Sequence, residues 1–320
     1  MILRNIVLAL AVCAAHTATA QNFPTRPIRL LHGFATGSAI DVMGRPLAAK
    51  LSDLLGQQVI VDSRPGATGG IANEAVAKSA PDGYTLLTAP GSSLTAVPHL
   101  QAVRFDPLRD FAAVVQTTSF SFMLVAHPSV PVQNARDLIA LAKAKPGFFT
   151  YGSTGIGSAF HLAGELFSSL AGVKLLHVPY RGGGAAAITD LVGGRVDLMW
   201  DALAVVRPQL QAGKIKAVGV TGLRRAAVLP NVPTIAESGL PGYEMIGWHG
   251  MLAPSATPRD IVDRLNGTVA KVLAQQDIRE LWAAQNMEIV PTTPAQFGEQ
   301  IRREYERYGK LIRNAGIKLN

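Results

Sequence analysis

Residues 28–61 read IRLLHGFATGSAIDVMGRPLAAKLSDLLGQQVIV, and this stretch decides the fold class. Ile28-Arg29-Leu30-Leu31 is a short apolar run of the kind that forms a strand. A Gly/Thr/Ser loop follows, then a helical pattern from about Asp41 to Leu55, then a second strand run at Val59-Ile60-Val61. Arg64-Pro65-Gly66 closes that run, a helix is expected through Ile71 to Ser79, and Pro81-Asp82-Gly83 turns into the strand Tyr84-Thr85-Leu86-Leu87. The same rhythm returns at Tyr151, at Leu175–His177, at Val196–Trp200 and at Lys216–Thr221. Strands spaced by helices predict parallel βαβ units and an α/β architecture. The chain has 320 residues, which at roughly 150 per domain suggests two domains. Two series of units, before and after residues near 120, fit that division.

Composition narrows the function classes. Hydrophobic residues make up 48% and charged residues 16%, enough apolar material for sizeable cores and too little charge for a disordered chain. The net charge of +8 comes without a dense basic run; the nearest are Arg224-Arg225 and Arg302-Arg303. Phosphate tracking needs clustered Lys and Arg with stacking aromatics, so nucleic acid is not an expected partner, while small anions remain open.

The first twenty residues read as an export signal. Arg4 precedes an almost wholly apolar stretch from Ile6 to Ala15, and Ala18-Thr19-Ala20 supplies the small residues that a signal peptidase reads. The stretch is too short to span a bilayer as a stable helix, which argues against the alternative of a membrane anchor. Leu10-Ala11-Val12-Cys13 loosely resembles a lipobox, but Val12 is bulky just before the cysteine. Cleavage after Ala20 removes Cys13, the single cysteine, and leaves no disulfide, thiol nucleophile or thiolate metal ligand.

Two longer strand patterns stand apart. Gln116 to His127 and Met245 to Leu252 are strands that either cross between domains or sit in ordinary sheets. Crossing strands would return the helices from Pro258 onward to the first domain and place a cleft between the two.

Four loops share one chemistry. They are Phe34-Ala35-Thr36-Gly37-Ser38, Ala89-Pro90-Gly91-Ser92-Ser93, Gly152 to Ser158 (GSTGIGS), and Tyr180-Arg181-Gly182-Gly183-Gly184. Each follows a strand and opens a helix, at the strand end where open α/β sheets bind ligands. Glycine lets backbone approach a ligand, Ser and Thr add hydroxyl donors, and a helix N-terminus offers unpaired N–H groups. Any one loop is explained by capping and turn chemistry. Four together favour a site for a carboxylate or phosphate.

Enzyme signatures are absent or weak. There is no Gly-x-Ser-x-Gly elbow, no phosphate-binding Walker loop, no His-Glu-x-x-His and no complete Gly-x-Gly-x-x-Gly. His161 and Glu165 have metal-compatible spacing but no apparent third ligand, so no metal or cofactor is expected. The rival reading is a secreted hydrolase using Ser153 or Ser158, which needs a base within hydrogen-bond reach of the hydroxyl.

A set of motifs carries a family resemblance over essentially the whole chain after residue 20. They are LGQQVIV at 55–61 with Arg64-Pro65-Gly66-Ala67; PDGYTLL at 81–87; YGSTG at 151–155 with His161; and HVPYRG at 177–182. Further on come LPNVPT at 229–234 with Glu237-Ser238-Gly239, then Trp248-His249-Gly250 and Ala253-Pro254. In order and spacing these resemble the Bug or TctC family of extracytoplasmic solute receptors, the binding components of tripartite tricarboxylate transporters. The resemblance implies a type II periplasmic binding protein fold, a Venus flytrap of two α/β lobes joined by two crossing strands. On that basis residues 21–122 with 247–320 form the first lobe and 123–246 the second. It implies a monomeric periplasmic receptor for a small carboxylate, serving the membrane components of such a transporter or a sensor kinase. Carried over by position, the first lobe offers Thr36, Gly37 and Ser38, braced by Asp41, and Ser92 with Ser93. The second offers Ser153, Thr154, Gly155, Gly157 and Ser158, the turn of Tyr180, Arg181, Gly182, Gly183 and Gly184, and Asp201.

The sequence departs from the family at two places. Thr36-Gly37-Ser38 stands where Pro-Gly-Gly is usual, and Leu94 and Val97 are apolar where polar residues are common. Together they point toward a partly apolar or aromatic acid rather than citrate.

Overall fold

A computed structural model describes residues 23–180, 184–314 and 316–317. The expected signal peptide at 1–20, and Arg181, Gly182 and Gly183, lie outside the described residues.

The opening stretch forms β1 (Ile28–His32), α1 (Ala39–Leu55) and β2 (Val59–Ser63). Ile40, Met43, Leu47, Ala48, Leu51 and Leu55 recur at helical spacing and are all buried, so α1 lies on the sheet by its apolar stripe. It starts two residues before the expected Asp41 because Ser38, extended at φ −66° and ψ 162°, takes the N-cap position. Gly56, left-handed at φ 68°, ends it by donating its N–H to the Ser52 carbonyl. A turn at 66–69 then leads through α2 (Gly70–Ala77) to β3 (Thr85–Pro90) and a short helix α3 (Gly91–Thr95). β1 lies between β2 and β3 and is parallel to both.

The second series runs through β4 (Phe111–Ala126), α4 (Ala135–Ala144), β5 (Thr150–Ser153), α5 (Ala159–Ala171), β6 (Leu176–Pro179), α6 (Gly184–Val192), β7 (Leu198–Ala202), α7 (Leu203–Gln211) and β8 (Lys216–Val220). The chain then returns along β9 (Ile246–Pro254) and continues through α8 (Arg259–Leu273), α9 (Gln276–Ala283), β10 (Glu288–Ile289) and α10 (Pro294–Asn314). The sheet order is β2-β1-β3-β9-β4-β7-β5-β6, with β8 and β10 also on β4.

β4 makes this a two-lobe molecule. Over Phe111–Ser121 it pairs antiparallel with β9, and over Phe122–Ala126 with β7. One strand thus runs through both lobes, and the register shifts along it add local twist. The first core gathers α1, α8 and α9 around Leu30, Leu47 and Trp282, and the second gathers α4 and α5 around Tyr151, Phe167 and Trp200. α10 departs from the expectation that everything after 247 joins the first lobe. Its Phe297 and Ile301 pack beside Trp248, but its Tyr308 and Ile312 lie in the second core with Trp200. A 21-residue helix spans roughly 30 Å, long enough to cross the junction. No helix among the described residues is long and apolar enough to cross a membrane.

Candidate functional site

The first lobe presents three loops at the carboxyl ends of β1, β2 and β3. Buried His32 ends β1; its Nδ1 accepts the Phe34 N–H (3.4 Å), so Nε2 carries the proton and donates to Asp41 Oδ1 (3.1 Å). Asp41 Oδ2 accepts the Gly37 N–H and the Arg45 Nε–H, each at 2.9 Å. The Arg45 guanidinium, helped by Gly37 and His32 and opposed by burial, holds the Asp41 carboxyl down at about 2. Asp41 is therefore a brace whose oxygens are already engaged. It leaves Thr36 and Gly37 exposed and Ser38 half-buried, the Ser38 Oγ having no partner among the described residues.

Sequence reasoning missed the second loop, reading Arg64-Pro65-Gly66 only as a strand terminator. Ala67 and Thr68 are left-handed at φ 49° and 53°, and Gly69 has φ 94°. A Cβ on Gly33 would lie 2.2 Å from the Gly69 Cα, so the loops after β1 and β2 touch backbone to backbone. The Gly-Ala-Thr-Gly composition was the available signal, because it permits such a turn.

The third loop differs from expectation. Ser92 is half-buried, but Ser93 turns inward, its Oγ donating to the Pro90 carbonyl (2.9 Å) while Asn73 donates to its carbonyl (3.3 Å). Leu94 and Val97 are buried in the lobe, where apolar residues belong for packing alone. Leu94 and Val97 thus offer no apolar surface to an aromatic ligand.

The second lobe offers the loop between β5 and α5. Ser153, fully buried, accepts the Gly155 N–H at its Oγ (3.1 Å) and lies 2.7 Å from His177 Nε2. The Gly157 N–H donates to His161 Nδ1 (3.1 Å), and Ser158 Oγ caps α5 by accepting the His161 N–H (3.2 Å). The N–H groups of Thr154 and Ile156 have no such partner among the described residues. They adjoin the N-terminus of a 13-residue helix, an arrangement suited to an oxyanion.

Tyr180 follows β6. Its hydroxyl donates to Asp190 (2.7 Å), and burial with that carboxylate pushes the phenol up to about 12. Asp201, near the end of β7, is 1% exposed; Oδ1 accepts the Ala202 N–H (2.7 Å), and Oδ2 has no partner among the described residues. Burial pushes this carboxyl up to about 7. A Cβ on Gly184 would sit 2.6 Å from Oδ2, so the start of α6 approaches this oxygen closely.

The two sets of loops face each other. Leu100, after α3, lies against Gly157, where a Cβ would come within 2.6 Å of its Cδ1. The neighbouring Gln101 donates to the Ala67 carbonyl (3.3 Å). Near the crossing of β4, Arg224 of the second lobe meets Glu288 at 3.0 and 3.1 Å, and Arg207 donates to the Ala284 carbonyl (3.0 Å). Both members of the Arg224–Glu288 pair are exposed, hence solvent-screened. Arg224→Ala is expected to leave the unfolding temperature within about two degrees, measured by scanning calorimetry; a larger drop would mean that this bridge holds the lobes together.

The hydrolase requirement is met in part, since His177 is within reach of Ser153. The pair is nevertheless unsuited to nucleophilic attack. Ser153 is closed to substrate, its Oγ is occupied by the Gly155 N–H, and no carboxylate orients His177 among the described residues. His161 and Glu165 are likewise engaged, with Gly157 and with the Tyr151 hydroxyl (2.6 Å).

Comparison with known proteins agrees with this geometry. The family described as tripartite tricarboxylate transporter family receptor matches residues 43–317. The chain is 35% identical over 317 residues to Protein BugT of Bordetella pertussis, covering 98% of this chain and 97% of that protein. The structure of R. palustris Rpa4515 with adipate superposes with a TM-score of 0.84 at 36% identity, covering 92% of this chain and 99% of the other. MatC of Rhodopseudomonas palustris with bound malate superposes with a TM-score of 0.80 at 29% identity, covering 91% and 100%. Two α/β lobes on a shared strand, loops turned toward one another, and these matches along nearly the whole chain place it in one group: the protein belongs to the tripartite tricarboxylate transporter receptor family.

Proposed function

We propose that the protein captures a small carboxylated organic acid between its lobes and delivers it to the membrane components of a tripartite tricarboxylate-type transporter. The observation that carries this reading is the N–H pair of Thr154 and Ile156, without a partner among the described residues, beside the N-terminus of α5 in a loop that Leu100 of the first lobe approaches at Gly157. The adipate and malate in the two related structures support the ligand class. The export signal and the family support a periplasmic location after cleavage behind Ala20.

In this reading residues 21–122 with the return through β9, α8 and α9 form one jaw and residues 123–246 the other, with α10 packed against both. Thr36, Gly37, Ser38 and Ser92 meet the ligand from one side. The N–H groups of Thr154 and Ile156 meet it from the other, with Asp201 facing a ligand donor or a bound water. Ligand gains the second set of contacts only on closure, and that differential affinity drives the closed form. A buried carboxylate must be matched by several donors, so removing its charge weakens binding.

The test is thermal unfolding of residues 21–320 with a panel of dicarboxylates, tricarboxylates, acidic amino acids and aromatic acids, followed by calorimetric titration. A ligand at a hundred times its Kd adds about 2.7 kcal/mol, a shift of a few degrees. The methyl ester of the responding acid is expected to bind about tenfold more weakly or worse. Equal affinity for acid and ester, or turnover of the ester, would overturn the reading.

A further inference from the structure

We propose that His161 and His177 are positioning residues of this receptor: stacked beneath the 153–158 loop, they hold it in the form that receives ligand without touching ligand themselves. The proposal rests on the capture reading above and deepens it.

The two rings come from different elements, α5 and β6, and stack with centroids 3.9 Å apart and planes 21° from parallel. Tyr151 of β5 continues the stack, 4.9 Å from His177. Hydrogen-bond accounting sets both tautomers. His161 Nδ1 accepts the Gly157 N–H, so its proton is on Nε2, directed toward Glu165 Oε1 at 3.8 Å. Ser153 Oγ accepts the Gly155 N–H and has one proton of its own, which the Gly155 carbonyl receives at 3.1 Å. His177 Nε2, 2.7 Å from the same oxygen, is then the donor.

The loop is consequently pinned at alternate residues, Gly157 by His161 directly and Gly155 by His177 through Ser153. Pinning 155 and 157 inward leaves the N–H groups of 154 and 156 for an anion. The His161 pin acts only while that ring is uncharged, since a second proton would turn Nδ1 into a donor against the Gly157 N–H, whereas His177, donating from Nε2, keeps its bond to Ser153 in either state. Burial, and for His161 also its neighbour His177, holds the two imidazoles down at about 3 and about 4. The groups facing the pair are Glu165 on α5 and Tyr151 and Ser153 on β5, and the Tyr151 hydroxyl donates to Glu165.

Crossed amide substitutions test this, because Asn places a polar atom near Nδ1 and Gln near Nε2. His161→Asn and His177→Gln are expected to stay within about threefold of wild-type affinity for the responding acid, while His161→Gln and His177→Asn lose about tenfold or more. A packing role alone would not give that crossed pattern. Amide hydrogen exchange at Gly155 and Gly157, measured without ligand, reads the loop independently. Protection is expected in the first two variants and loss in the second two. Affinity that merely tracks each variant's stability, or amide protection indifferent to the substitution, would overturn the proposal. Should wild type bind no acid while the exchange pattern holds, the capture reading fails and the positioning of the loop stands.

Discussion

Asp41→Ala is expected to lower stability by about 3 kcal/mol and ligand affinity by about tenfold or more, the largest single effect among the site residues. The carboxylate accepts from the Gly37 N–H, the His32 Nε2–H and the Arg45 guanidinium, and His32 is wholly buried. Truncation strands the buried donor and releases the 35–38 loop, which is the first lobe's exposed contribution to the site. Arg45 reaches solvent and recovers part of what it loses. The charge has a pH signature with a definite sign. The Asp41 pKa is lowered from 3.8 to about 2, so its contribution is complete above the ordinary carboxylate range and disappears as pH falls through that window. Unfolding free energies of wild type and Asp41→Asn, measured from about pH 6 to about pH 2, should converge on acidification. A difference that does not change with pH would show that size rather than charge makes the brace.

Gly33→Ala should be nearly as severe, at about 3 kcal/mol, the upper end for overpacking. The added Cβ would lie 2.2 Å from the Gly69 Cα and 2.7 Å from its carbonyl oxygen. These are backbone atoms, and they belong to a turn already holding Ala67 and Thr68 in the left-handed region, so neither loop can yield cheaply. Separating the loops after β1 and β2 should weaken acid binding together with stability. Gly37→Ala is the control: its φ of 81° is strained for alanine, but nothing lies within 4 Å of the new Cβ. Denaturant unfolding and titration of the two variants would expose an error in this argument if Gly33→Ala were the milder.

The two-lobe architecture shows how far local pattern reaches. The strands and helices of the opening stretch were legible to within two residues, because apolar spacing records which face of each element will be buried. The crossing was not legible from pattern: a strand that pairs with β9 over one half and β7 over the other has the same apolar look as a strand within one sheet. The motifs of the family resemblance, and not periodicity, decided between the two. α10 carried no sign in its sequence that Tyr308 would lie in the other lobe's core.

At the site, the sequence by itself singled out four Gly/Ser/Thr loops between a strand and a helix, because that composition suits backbone N–H and hydroxyl donors at a helix start, and it passed over the turn at 66–69. Only the tertiary structure decided what each residue does there. Ser92 and Ser93 are neighbours of one type, yet the second faces Pro90 and Asn73 inside the lobe. Leu94 and Val97, suggestive as ligand contacts, are core. His161 and His177 sit sixteen positions apart, and the packing of α5 beside β6 makes them one stacked unit. Composition and spacing encode a residue's own segment and the face it shows. A hydrogen-bond partner, a tautomer or a buried charge is a property of two segments meeting, and that meeting is set by the packing of the whole chain.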